Sequence, residues 1–122
     1  MKSLRLIFDW DMVLHHYSEA CQAGPSIAPE ALPLTSETVH ALWGLHKRWS
    51  ALFAELPNRD ATSRLDYHLD MSGIEREGFE LWTRIRTELG DSYQVAYYSE
   101  LAHTTFASPA EYDRAFQQGL IR

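Results

Sequence analysis

Cysteine is almost absent from this 122-residue chain: Cys21 stands alone, so no internal disulfide can form and nothing demands an oxidising compartment. Long apolar runs are missing too, and none approaches the ~20 residues that span a bilayer. Lys2 and Arg5 stand near the N-terminus, but neither an uninterrupted apolar core nor a small-residue cleavage site follows them. The expectation is a cytoplasmic protein with no membrane partner. Basic residues are scarce, with 11 Lys and Arg against 17 Asp and Glu and a net charge of -6. Lys47-Arg48 is the one adjacent basic pair, which argues against nucleic acid as the main partner, because phosphate binding needs clustered cations. A glycine-rich phosphate loop and a G-x-S-x-G elbow are also lacking.

What is present is an ordinary globular composition, 45% hydrophobic, 12% aromatic and 23% charged, sized for one domain over residues 1–122. Leu4, Leu6, Ile7 and Phe8 predict a strand over Arg5 to Asp9, nearly continuous in apolar character as where both faces are covered. A connection from about Trp10 to Leu34 follows, punctuated by Gly24-Pro25, Pro29 and Pro33. It is too long for an ordinary loop, so it is functional or holds a short element.

Helix one is expected from Thr35 or Ser36, either able to cap it, with Glu37 in the first turn. Val39, Leu42, Trp43, His46, Trp49, Leu52, Phe53 and Leu56 make one helical stripe that Pro57-Asn58 ends. Residues 58–71 show no sustained period and read as an exposed acidic loop. Helix two is expected at Ser72-Gly73-Ile74-Glu75, which has capping-box spacing. Its inward face is Ile74, Gly78, Leu81, Trp82, Ile85 and Leu89, with Gly90 as the left-handed stop. A strand over Tyr93 to Ser99 and a short helix capped by Ser108-Pro109-Ala110-Glu111 and closed by Gly119 complete the chain. The order strand, helix, helix, strand, helix predicts a small α/β (α+β) domain whose few-stranded sheet is packed by helices.

The run FDWD at residues 8–11 raises the possibility of chemistry. Haloacid dehalogenase-type phosphotransferases carry a strand followed by Asp-x-Asp-Gly-Thr, the first Asp attacking phosphorus and the second moving a proton. Here Met12 replaces the Gly-Thr pair and one position is deleted. No second strand ends in paired aspartates to hold the Mg²⁺ that such transfer needs. The histidines supply no i, i+4 metal pair: adjacent His15 and His16 would point to opposite faces of a strand, and His46 falls on the apolar stripe as a hydrogen-bonded core residue. Cys21, alone in the proline-rich connection, is weak evidence for a nucleophile. No cofactor is expected, nor a metal. Trp43, Trp49 and Trp82 lie on inward stripes, whereas Trp10 sits between two acids, the composition of a recognition spot.

Several stretches stand in a familiar order: LRLIFDWD; Ile27-x-Pro29-Glu30-x-Leu32-Pro33-Leu34-Thr35; Phe79-x-Leu81-Trp82; and Glu88-Leu89-Gly90-x-x-Tyr93-x-Val95-x-Tyr97. From about Leu4 to Tyr98 the chain resembles small bacterial immunity proteins of contact-dependent growth inhibition and related polymorphic toxin systems. The resemblance implies a non-enzymatic, cytoplasmic antitoxin that binds the C-terminal toxin domain, often a nuclease, of a large secreted effector. It carries over no functional residue, since the matched positions are core, caps and turns.

Charge supplies candidates for the contact. Six acids (Asp60, Asp66, Asp70, Glu75, Glu77, Glu80) stand between Asp60 and Glu80 against two bases, Arg64 and Arg76, a surface that suits a basic partner. The expected toxin contacts are Asp9, Trp10 and Asp11 at the strand end, Asp60, Asp66, Tyr67 and Asp70 in the acidic segment, and Glu100 after the second strand. Two other readings stay open at this point: a small adaptor domain, and a phosphotransfer enzyme using Asp9 and Asp11.

Overall fold

A computed structural model describes residues 2–9, 12–18, 24–55 and 61–119, with the side chains at 53, 55 and 61–69 left outside that description. The element order is β1 (Lys2–Leu6), β2 (Leu14–His16), α1 (Ser36–Glu55), α2 (Ala61–Leu89), β3 (Tyr93–Ser99), β4 (Thr104–Phe106) and α3 (Pro109–Gln117). Short 3-10 turns at Pro29–Ala31 and Gly90–Ser92 lead into α1 and β3. The sheet runs β2-β1-β3-β4, with β1 parallel to β3 and both outer strands antiparallel to their neighbours.

Alternation along the strands decides which face meets the helices. Leu4 pairs with Val95, and Leu6 with both Tyr97 and Leu14, while Tyr97 pairs with Phe106; all six are buried. Between them Ser3, Arg5 and Ile7 are only half-buried. The expected strand covered on both faces is therefore a half-covered one, set two to three residues earlier than its apolar run suggests. On the second face Arg5 Nε donates to His15 Nε2 at 2.9 Å, and an Arg5 NH donates to Thr105 Oγ1 at 3.0 Å. Burial and then the Arg5 charge hold the His15 imidazole below its usual 6.5, keeping it a neutral acceptor.

Helix α2 dominates the packing. Ile74, Gly78, Leu81, Trp82, Ile85 and Leu89 are all buried, as their helical spacing predicts. Trp82 stacks on Tyr97 with ring centroids 5.3 Å apart, and its indole N–H donates to the Val95 carbonyl at 2.8 Å. A Cβ on Gly78 would come within 2.7 Å of the Tyr97 hydroxyl, so glycine lets helix and sheet approach here. Gly90 has φ +64, the left-handed conformation that stops the helix. Each fully buried large side chain in this layer contributes roughly 1.5–3 kcal/mol.

Two expectations are corrected. The supposed acidic loop is helical from Ala61 onward, so α2 begins eleven residues before the predicted start at Ser72. Residues 61–71 contain no Gly or Pro, and their Ala, Arg, Leu and Met are good helix formers. The Ser72–Glu75 spacing consequently caps nothing. The connection from 10 to 34 holds β2 and a 3-10 turn, and β4 lies beyond the expected strand set, both being three-residue strands too short to show alternation. Helix α1 starts as expected, with Thr35 Oγ1 accepting from the Thr38 N–H at 3.2 Å. Ser108 caps α3 by accepting from the Glu111 N–H at 3.3 Å.

Candidate functional site

The parallel register of β1 and β3 brings their carboxyl ends together. Leu6 lies opposite Tyr97, which sets Asp9 beside Glu100 three residues further on. The backbone then turns sharply: Ile7 N–H donates to the Val13 carbonyl at 3.0 Å and Asp9 N–H to the Met12 carbonyl at 3.1 Å. Asp9 therefore opens a hairpin turn that returns the chain antiparallel into β2. A phosphotransferase strand instead runs into a crossover helix beside further parallel strands, and that scaffold is not built here. Trp10 and Asp11 lie outside the described residues. From α1 the His46 ring hydrogen-bonds the Asp9 carbonyl and stacks on Trp49 with centroids 6.1 Å apart. His46 is hydrogen-bonded as its stripe position predicts, but half-buried and not a core residue.

Burial and like charge govern the acids at this end. Glu100 is half-buried, and burial, the Glu75 charge and the Asp9 charge, in that order, push its carboxyl up to about 7. Glu75 is only 4% exposed. Burial raises its carboxyl although hydrogen bonds from Ser99, Tyr97 and Tyr112 oppose the shift. The Tyr97 hydroxyl donates to Glu75 at 2.8 Å and that of Tyr112 at 3.4 Å, with the Ser99 hydroxyl a third donor. Burial and then the Glu75 charge raise both tyrosines in turn. Among the described residues neither Glu75 nor Glu100 has an ion-pair partner.

Helix α2 carries the remaining candidates to the same end. Glu75 is level with the last residue of β3, and α2 runs back from there past the end of β3, with Ile74 and Met71 still buried in the core and the helix continuing to Ala61 for about 15 Å beyond Met71 at 1.5 Å per residue. Positions 66, 67 and 70 lie on that stretch, 66 and 70 one turn apart. Asp70 is exposed, the side chains of Asp66 and Tyr67 are not described, and Asp60 lies outside the described residues. The fold accordingly gathers Asp9, Glu100 and the α2 positions at the carboxyl end of the sheet. It buries Glu75, which the sequence reading placed in a helix cap and counted among the acids of the charged surface.

A second feature escaped the sequence reading. Between α2 and α3 a cleft of about 260 Å³ is lined by Phe79, Leu101, Tyr112 and Phe116, with Glu75 at its deep end. Tyr112 and Phe116 are four apart, the spacing that puts two rings on one helix face, and this was the available signal. No cluster of three or more His, Cys, Asp or Glu able to hold a metal occurs among the described residues. No described helix is long and apolar enough to cross a membrane.

Among curated proteins none matches the chain. A family model described as Serratia CdiI immunity protein-like matches residues 2–100, spanning both central strands, α1, α2 and the acid pair Asp9 and Glu100, and the chain belongs to that immunity-protein family.

Proposed function

We propose that this immunity protein neutralises a basic nuclease toxin domain of a contact-dependent growth inhibition effector by covering it with the acid-bearing carboxyl end of the sheet. It acts in the cytoplasm, as a binder and not as a catalyst. The contact surface comprises Asp9 at the hairpin turn, Trp10 and Asp11 next to it in sequence, Glu100 beside Asp9, and Asp60, Asp66, Tyr67 and Asp70 in and just before the first turns of α2. The observation that carries this reading is the state of Glu100. Burial pushes this carboxyl up to about 7, and the charges of Glu75 and Asp9 beside it act in the same direction, so negative charge is gathered at this end of the sheet. A nuclease must present cations to hold substrate phosphates, and those cations would meet that charge on contact.

Family membership supports a toxin protein as the partner, and the net charge of -6 supports a basic one. Long-range attraction between such surfaces speeds encounter and is screened by salt. Stopped-flow association of the chain with its cognate toxin domain should slow steeply between low and high ionic strength. An association rate indifferent to salt would remove the electrostatic account.

A further inference from the structure

The cleft between α2 and α3 opens beside the acid end, and a contact made by surface charge alone leaves it unused. Its walls are apolar and aromatic: Phe79 and Tyr112 have ring centroids 4.5 Å apart, and Phe116 at the lip is 60% exposed. No other large apolar side chain among the described residues is so exposed. At the deep end sits the Glu75 carboxylate, which three hydroxyls approach and which no ion pair neutralises among the described residues. Asp113 lies on one rim and Arg76 on another.

We propose that this cleft is the socket for one arginine side chain of the toxin domain, its stem and guanidinium plane against the aromatic walls and its N–H groups directed at Glu75. The proposal rests on the toxin-binding reading and names the anchor of that contact. Three observations select the occupant. A space of about 260 Å³ suits one long side chain better than a drug-sized ligand, whose sites run from about 300 Å³ upward. A guanidinium is planar and weakly hydrated and stacks flat on aromatic faces, whereas an ammonium is a strongly hydrated point charge with no plane to stack. A carboxyl already out of water, with hydroxyl donors and no ion pair among the described residues although Arg76 lines the same cleft, is favoured in its charged form by a desolvated partner of opposite charge. Interface anchors are commonly arginines and aromatics seated in such pockets.

The test uses the full chain and the C-terminal domain of its cognate effector, with affinity measured by calorimetry. Phe116→Ala should leave the melting temperature unchanged, because the ring is mostly exposed, and should weaken binding by about 30-fold or more. An arginine-to-alanine scan of the toxin domain should find one arginine whose loss is non-additive with Phe116→Ala, and with Glu75→Gln where that variant melts normally. Binding by Phe116→Ala within about twofold of the parent overturns the socket, as does a scan in which no arginine couples to it or a lysine couples instead. A parent chain that fails to bind the toxin domain at all removes the immunity reading itself, and the socket falls with it.

Discussion

The two ends of the sheet treat glutamate in opposite ways. At the end where α1 begins, Glu88 accepts from the Thr35 N–H at 2.7 Å and from the Thr38 hydroxyl, with Arg84 3.6 Å away. Burial works against its charge, yet these hydrogen bonds and then the Arg84 cation outweigh it and hold the carboxyl below its usual 4.5. At the other end Glu100 is pushed up to about 7, with burial, Glu75 and Asp9 all acting in the same direction. One end therefore gains stability from its ionised acid, while the other is destabilised by it. An acid kept in an unfavourable setting is what a binding surface carries when its counter-charge belongs to a partner.

The largest perturbation should not distinguish the ends at all. Trp82 is fully buried and bonded to the Val95 carbonyl in the layer shared by both. Trp82→Ala should cost about 3–5 kcal/mol in urea denaturation, through a cavity and an orphaned carbonyl. A much smaller loss would mean that the helix layer is not the common framework assumed here.

The ends separate under pH. Because the folded value for Glu100 is raised from 4.5 to about 7, the native state binds more protons than the unfolded chain across that window. Stability should therefore fall as pH rises from about 4.5 to 7, by an amount on the order of 2 kcal/mol after solvent screening. Glu75, shifted in the same direction, adds to the slope. Glu100→Gln should flatten the curve and raise stability at pH 8, read by thermal melts across pH; an unchanged slope would contradict the assignment. At the opposite end Thr38→Val removes a buried hydroxyl from Glu88 and should cost about 1 kcal/mol, with toxin affinity untouched. Weakened binding in that variant would place part of the interface at the wrong end.

The contrast between the two halves of α2 explains what the sequence could reveal. From Ile74 to Leu89 the helix lies on the sheet, so its apolar residues recur at helical spacing and the inward face is legible residue by residue. From Ala61 to Asp70 the sequence carries no such period, which made a helix look like a loop. Gly90, Ser108 and Thr35 were legible because a turn or cap demands particular side-chain chemistry. The three-residue strands β2 and β4 were not, since so short a strand is chosen by its neighbour. At the candidate site, Asp9 and Glu100 could be named individually from charge and position. Their adjacency depends on parallel pairing of strands almost ninety residues apart, which no local pattern encodes. Glu75 was misplaced because its spacing from Ser72 imitates a cap that a continuous helix does not need.

The central claim is that the carboxyl end of the sheet holds the toxin. Its most direct test is the affinity of the double variant Asp9→Asn/Glu100→Gln for the toxin domain, measured beside its melting temperature at pH 7.5. The account predicts a variant at least as stable as the parent that binds at least about tenfold more weakly, since each neutralised acid leaves a toxin cation without its counter-charge. A variant that melts as the parent does and binds just as tightly would contradict it.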